Sequence, residues 1–238
     1  MKLKYGAIIV LMVMFFGLRF SSAFDYYVGP NGGDWNSGSQ SLPFRTIQKA
    51  LNVAQPGDTV NLMSGEYREN IRSIRDGLPE KPIKVKGSEN SLLKISGSDD
   101  RIFEINHDYI HIEGFTVDGL IKEGDTADDY ADKLIYVQGI DKDGVKGLKI
   151  LNMKLKNSGG EAVRFRYFVR DSEIAYSIFE NIGVYDFKFN GGGKNGEAIY
   201  LGTSSNQWAD GKNPTSDADV SANNRIHHNY FNTQGNEC

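Results

Sequence analysis

The stretch Leu148-Lys149-Ile150-Leu151-Asn152-Met153-Lys154-Leu155-Lys156-Asn157-Ser158-Gly159 holds short runs in which apolar and polar residues alternate, broken by asparagine and glycine. Alternation of period two over so few residues, punctuated by turn formers, reads as strand and turn rather than helix. The pattern recurs. Ile150, Leu155 and Gly159 align with Ile174, Phe179 and Gly183, and with Ile226, Phe231 and Gly235. Ile112, Phe115 and Val117 match the apolar part, and Val85 and Val60 extend the series toward the N-terminus. Successive anchors lie 25, 27, 38, 24 and 52 residues apart. The basic repeat is therefore near 25 residues, and two intervals carry polar insertions, Lys122 to Asp132 and Ser204 to Asn224. Asn157 and Asn181 occupy the same repeat position, with Asn232 one place off, which predicts a corner of left-handed backbone geometry. Three short strands per repeat make one coil of a parallel β-helix, an all-β solenoid. A β-sandwich would need hairpin dipeptides between neighbouring strands, and these are sparse.

Composition agrees with a chain that buries a core. The 238 residues are 39% hydrophobic and 24% charged, which excludes collagen, disorder and a disulfide-stapled miniprotein. With 27 basic and 31 acidic residues the formal charge is -4, so the footprint of a dedicated nucleic-acid binder is missing. One cysteine excludes an internal disulfide and a cysteine-based zinc cluster. Lys2 and Lys4, an apolar run from Gly6 to Leu18, and small residues at Ser21 and Ala23 have the order of a cleaved secretory signal. The run is shorter than the roughly 20 residues of a membrane span. The expected organisation is a signal peptide over 1–23, an N-terminal strand and helical cap over 24–58, and β-helix coils over 59–238. Within the cap, Ile47, Ala50, Leu51 and Ala54 share one helical face, and Pro56-Gly57-Asp58 ends the helix before a strand from Thr59. Cys238 aligns with Ala162 and Ala198, so the last coil is expected to be incomplete and the chain truncated at its C-terminus. The expected protein is secreted, extracellular, off the membrane once the signal is cleaved, and monomeric.

The segments Tyr26-Tyr27-Val28-Gly29-Pro30-Asn31-Gly32, Pro43-Phe44-Arg45-Thr46-Ile47-Gln48-Lys49-Ala50 and Pro56-Gly57-Asp58-Thr59-Val60, with Gly65-Glu66-Tyr67, resemble the cap of secreted right-handed parallel β-helix proteins of the pectate-lyase-like group. The resemblance is strongest to family 9 polysaccharide lyases. It implies β-elimination on an acidic polysaccharide such as pectate. In that chemistry a lysine or arginine removes the proton beside the uronate carboxylate, and calcium held by aspartates neutralises the carboxylate. The family's aspartate cluster and catalytic lysine find no match among the residues of this chain. The same cap also occurs on β-helix proteins without known activity, which implies the alternative of a non-catalytic extracellular carbohydrate-binding or structural protein.

Aligning the repeats places side chains in columns. With Phe103, Ile135, Val163 and Ile199 inward, Glu104, Tyr136, Arg164 and Tyr200 point outward in one column. Arg101, Lys133, Glu161, Glu197 and Glu237 form a second, and Asn106, Gln138, Arg166 and Gly202 a third. Coils are about 4.8 Å apart, so the stacked carboxylates of Glu161, Glu197 and Glu237 repel by about 1 kcal/mol per pair in water and more when desolvated. Calcium, or Arg164 and Arg166, would offset this. The expected roles are Arg164 and Lys194 as catalytic groups, Tyr136, Arg166 and Tyr200 against substrate, and Glu161, Glu197 and Glu237 as calcium ligands. Changing Glu161 and Glu197 together to glutamine should then raise calcium-free stability. Asp125, Asp128, Asp129 and Asp132 read as a solvated loop, Gly191 to Gly196 as a flexible turn, and His227-His228 as rings on opposite strand faces.

Overall fold

The computed structural model describes residues 23–97, 101–122, 126–141, 143–191 and 196–233. Its strands are short because turn-forming residues interrupt the chain every few positions, and they stack in three long parallel sheets. The first sheet contains β1 (Asp25–Val28), β2 (Thr59–Leu62), β5 (Ile83–Lys86), β8 (Ile110–Glu113), β12 (Lys149–Leu151), β16 (Glu173–Ala175) and β19 (Arg225–His227), in that order. The second contains β4 (Ile71–Arg72), β7 (Arg101–Ile105), β10 (Lys133–Val137), β14 (Val163–Phe165) and β18 (Ile199–Leu201). The third contains β3 (Gly65–Arg68), β6 (Ser91–Lys94), β9 (Thr116–Asp118), β13 (Lys154–Ser158), β17 (Ile178–Ile182) and β20 (Tyr230–Asn232). A fourth, two-stranded ladder pairs β11 (Val145–Lys146) with β15 (Val169–Arg170). The chain visits the first, third and second sheets in turn and then begins the next coil. This is a parallel β-helix.

The anchors of the sequence repeat form one ladder: Val60, Val85, Ile112, Ile150, Ile174 and Ile226 are successive partners. A one-residue slip would turn the first five, all fully buried, out of the core, so burial fixes the register, whereas Ile226 is 38% exposed. Val117, Leu155, Phe179 and Phe231 make the equivalent ladder in the third sheet, where the last two rings stack at 4.9 Å. Phe103, Phe115, Phe165 and Phe179 are fully buried in the same continuous core. Each such side chain contributes about 1.5–3 kcal/mol through the apolar area it removes from water.

The helix α1 (Ile47–Val53) turns Ile47, Ala50 and Leu51 inward and lies against β1, β2 and β4. Thr46 caps it: its hydroxyl accepts from the Lys49 amide at 3.2 Å. Glu69 accepts from the Ile47 and Gln48 amides at 2.8 and 3.1 Å, placing negative charge at the free N–H groups of the first turn. Beyond the helix, Gly57 takes φ +100° and Asp58 accepts from the Gln55 and Phe24 amides, both at 2.8 Å. Among the described residues no helix is long and apolar enough to cross a membrane.

Candidate functional site

The second sheet aligns Glu104, Tyr136, Arg164 and Tyr200 across β7, β10, β14 and β18. Lys133 lies opposite Arg101, and the same register carries that column on to Glu161 and Glu197. In these columns Arg101 and Glu104 remain about a third exposed, while Tyr136, Arg164 and Glu161 are buried. The insertion from Ser204 to Asn224 folds back onto them and is held by Arg166, whose Nε donates to Asn213 at 2.8 Å, Nη1 to Gln207 at 3.1 Å and Nη2 to Asp210 at 2.8 Å. Asp219 accepts from the Phe168 amide at 2.9 Å, and Tyr167 shares a hydrogen bond with Thr215. With three N–H groups given to the insertion, Arg166 acts as a clamp on it rather than as an open substrate contact.

Between insertion and sheet lies a cavity of about 300 Å³, lined by Arg101, Asp132, Lys133, Tyr136, Glu161, Arg164, Arg166, Tyr200, Gln207 and Lys212. Glu161 is 1% exposed. One of its oxygens accepts from Arg164 Nη1 at 3.1 Å, and the other pairs with Lys133 Nζ at 3.0 Å. Lys133 also contacts Asp132. Burial alone would lower the pKa of the Lys133 ammonium, but Glu161 and Asp132 outweigh it and hold the value above that of an ordinary lysine. Of the two ways of neutralising Glu161 that the sequence offered, arginine supplies one charge and Lys133 the other. The sequence places Lys133 one coil before Glu161 in the same column, but does not show its pairing with Glu161.

The residues at Glu161 do not fit a calcium ion. Calcium takes six to eight oxygen ligands, and here both oxygens of the central carboxylate already face cations within 3.1 Å. A divalent ion there would lie beside Arg164 and Lys133 and be repelled by both. Glu197 follows Glu161 in register and is partly buried. Glu237 and Lys194 lie outside the described residues. Among the described residues no group of three acidic, histidine or cysteine side chains is arranged to hold a metal.

The tyrosines also differ from their expected role. The Arg101 guanidinium lies 3.6 Å from the Tyr136 ring centre, and that of Arg164 lies 3.7 Å from the Tyr200 ring centre. Tyr136 is 5% exposed, so it supports a guanidinium instead of offering its face to a sugar. Burial raises its hydroxyl pKa, opposed in part by Arg101, Arg166, Arg164 and Lys133.

Two weaker constellations resolve differently from their sequence reading. Asp129 is buried, accepts from the Thr126 amide and hydroxyl at 3.1 and 2.9 Å, and pairs with Lys122 at 3.1 Å, so it organises its loop instead of being solvated. His227 and His228 bring their Nδ1 atoms to 2.7 Å because His228 adopts φ +54°, which breaks the alternation assumed for a strand.

Comparison with known proteins matches the fold. Residues 30–89 match a family described as a protein of unknown function, DUF1565. The chain is 42% identical over 74 residues to the uncharacterized protein YwoF of Bacillus subtilis, covering 31% of this chain and 16% of that protein. It is 32% identical over 79 residues to pectate lyase PEL9 of Emericella nidulans, covering 32% and 19%. The matched segments thus span under a fifth of either curated relative. Among solved structures, an alginate lyase from Paenibacillus superposes with TM-score 0.60 at 21% identity, over 77% of this chain and 54% of the lyase. Pectate lyase Pel9A superposes with TM-score 0.58 at 17% identity, over 77% and 46%. A lacto-N-biosidase from Eubacterium ramulus gives TM-score 0.65 at 14% identity, over 87% and 41%. Enzymes named for different reactions share this scaffold, so the superpositions carry the architecture alone. Fold and comparisons together make this chain a parallel β-helix.

Proposed function

We propose that this protein is an extracellular β-helix that binds an acidic, uronate-containing polysaccharide in the cleft over its second sheet. The supporting observation is that Arg101, Lys133, Arg164, Arg166 and Lys212 outnumber Asp132 and Glu161 around one cavity in a chain whose overall charge is -4. Arg101 and Arg164 are the contacts assigned to the uronate carboxylates, Tyr136 and Tyr200 position them, and Arg166 holds the insertion that forms the far wall. The fold's likeness to pectate and alginate lyases fits the same substrate chemistry.

Binding is favoured over cleavage by the state of the cations. Elimination needs a base. Lys133 is kept protonated by two carboxylates, and Arg164 is committed to Glu161. Lys194 is the base assigned to a lyase reaction of this chain. The decisive experiment incubates the protein with polygalacturonate and with alginate, following retardation in an affinity gel and the ultraviolet absorbance of unsaturated products. Retardation without new absorbance is the expected result. Absorbance that grows with time and disappears in Lys194→Ala would make the chain a lyase, and absence of both signals would remove the glycan assignment.

A further inference from the structure

We infer that the cleft receives uronate carboxylates directly on the guanidinium groups of Arg101 and Arg164, without a bridging calcium ion. This rests on the acidic-glycan assignment above and departs from the calcium chemistry of the lyases that the sequence resembles. Glu161, the most buried carboxylate at the cleft, is neutralised by Arg164 and Lys133 and has no oxygen turned toward an added cation.

The two guanidiniums both line the cavity, Arg101 about a third exposed and Arg164 reached only through it. Arg101 donates through Nη1 to Glu104 at 3.0 Å, and Arg164 through Nη1 to Glu161 at 3.1 Å. A guanidinium has five N–H donors in a rigid plane, so one such bond fixes its orientation and leaves others to donate side-on to a carboxylate. Stacking on Tyr136 and Tyr200 restrains each plane further. The two rings belong to one column and are two coils apart, β10 to β14 to β18, or roughly 9.6 Å from the spacing of adjacent strands. A 1,4-linked pyranose unit is about as long as one coil is high, so two guanidiniums at this interval meet alternate uronates of an extended polymer lying along the solenoid axis. Lysine at either place would keep the charge but lose the planar fork.

The test uses affinity gels of polygalacturonate, with fully methyl-esterified pectin as the uncharged control, run with excess chelator and with added calcium. The expected result is equal retardation in chelator and in calcium, none on the methyl ester, and about tenfold weaker binding for Arg101→Gln and for Arg164→Lys. Arg164→Lys keeps a cation beside Glu161, and an unchanged melting curve confirms that this variant folds. Retardation that vanishes in chelator and returns with calcium overturns direct recognition while leaving the glycan assignment standing. Full-strength binding by both variants also overturns it. No retardation on polygalacturonate in either condition removes the glycan assignment, and direct recognition falls with it.

Discussion

Glu161 shows how one residue decides between two readings of a column. Considered only with Glu197 and Glu237, it belongs to a repelling stack whose neutralisation should stabilise the protein. In the folded chain it lies between Arg164 and Lys133, whose side chains are 6% and 14% exposed. Removing its charge leaves the largely buried Arg164 without its carboxylate and Lys133 with Asp132 alone, and breaking a buried ion pair from one side costs roughly 3–5 kcal/mol. Glu161→Gln is therefore expected to destabilise by about that amount in urea unfolding, and a higher midpoint would restore the repelling-stack picture. His111 offers a pH prediction. Its neighbours across the first sheet are Lys84 and Lys149. Burial, followed by Lys149 and Lys84, pushes its pKa down to about 4, against roughly 6.5 in the unfolded chain. Between those values the unfolded state binds the proton and the folded state does not, so this contribution to stability is complete above the upper value and is lost as pH falls toward the lower one. His111→Gln should lose less melting temperature than the parent between about pH 7 and pH 4. Equal losses would mean that other groups govern that window.

At the scale of elements, the corner between the third and second sheets was legible from two asparagines in repeat register. Asn157 and Asn181 take φ +58° and +56°. Their side chains form a ladder in which Asn181 donates to Asn157 and Asn157 donates to Asp118, both at 2.7 Å. Asn232, one place off in the repeat, lies in β20 as an ordinary strand residue. Asn157→Ala forfeits two side-chain hydrogen bonds, each worth about 1 kcal/mol, and puts in the left-handed region a residue without the polar side chain that lets asparagine settle there, at a further cost of about 1–2 kcal/mol. Asn157→Gly forfeits only the two bonds, since glycine adopts a positive φ without steric cost. Denaturant titration should thus find alanine the more damaging, by about 1 kcal/mol or more, and equal effects would show that the ladder, not the backbone, holds the corner. The anchors and the columns on the second sheet were legible for the same reason, since parallel pairing repeats a short apolar code. The insertion from Ser204 to Asn224 was not. It has no period of its own, and its position depends on Arg166 meeting Gln207, Asp210 and Asn213 from more than forty residues away. Hence the sequence located the charged face but missed its far wall, the contributions of Gln207 and Lys212, and the burial that ties Arg164 to Glu161.

On the scale of the whole molecule, two fields of opposite sign act on an approaching polyanion. The chain as a whole carries -4, while the cleft sets five cationic side chains against the two carboxylates of Asp132 and Glu161 within one cavity. Their reach depends on salt. The screening length is about 30 Å at 0.01 M, about 8 Å near physiological ionic strength and about 3 Å at 1 M. In the most dilute salt the repulsion of the whole chain extends well beyond the cleft and opposes encounter. Near physiological strength it is screened at a distance, while the cations inside a cavity of about 300 Å³ still act on a carboxylate at its mouth. In molar salt that local attraction is screened as well. The association rate with surface-bound polygalacturonate is therefore expected to pass through a maximum as salt increases, where a uniformly basic binder would show a steady fall. Surface plasmon resonance across this range distinguishes the two. A monotonic decrease would mean that the cleft dominates the field at every distance, and a rate indifferent to salt would remove Arg101, Arg164 and Lys212 from the encounter altogether.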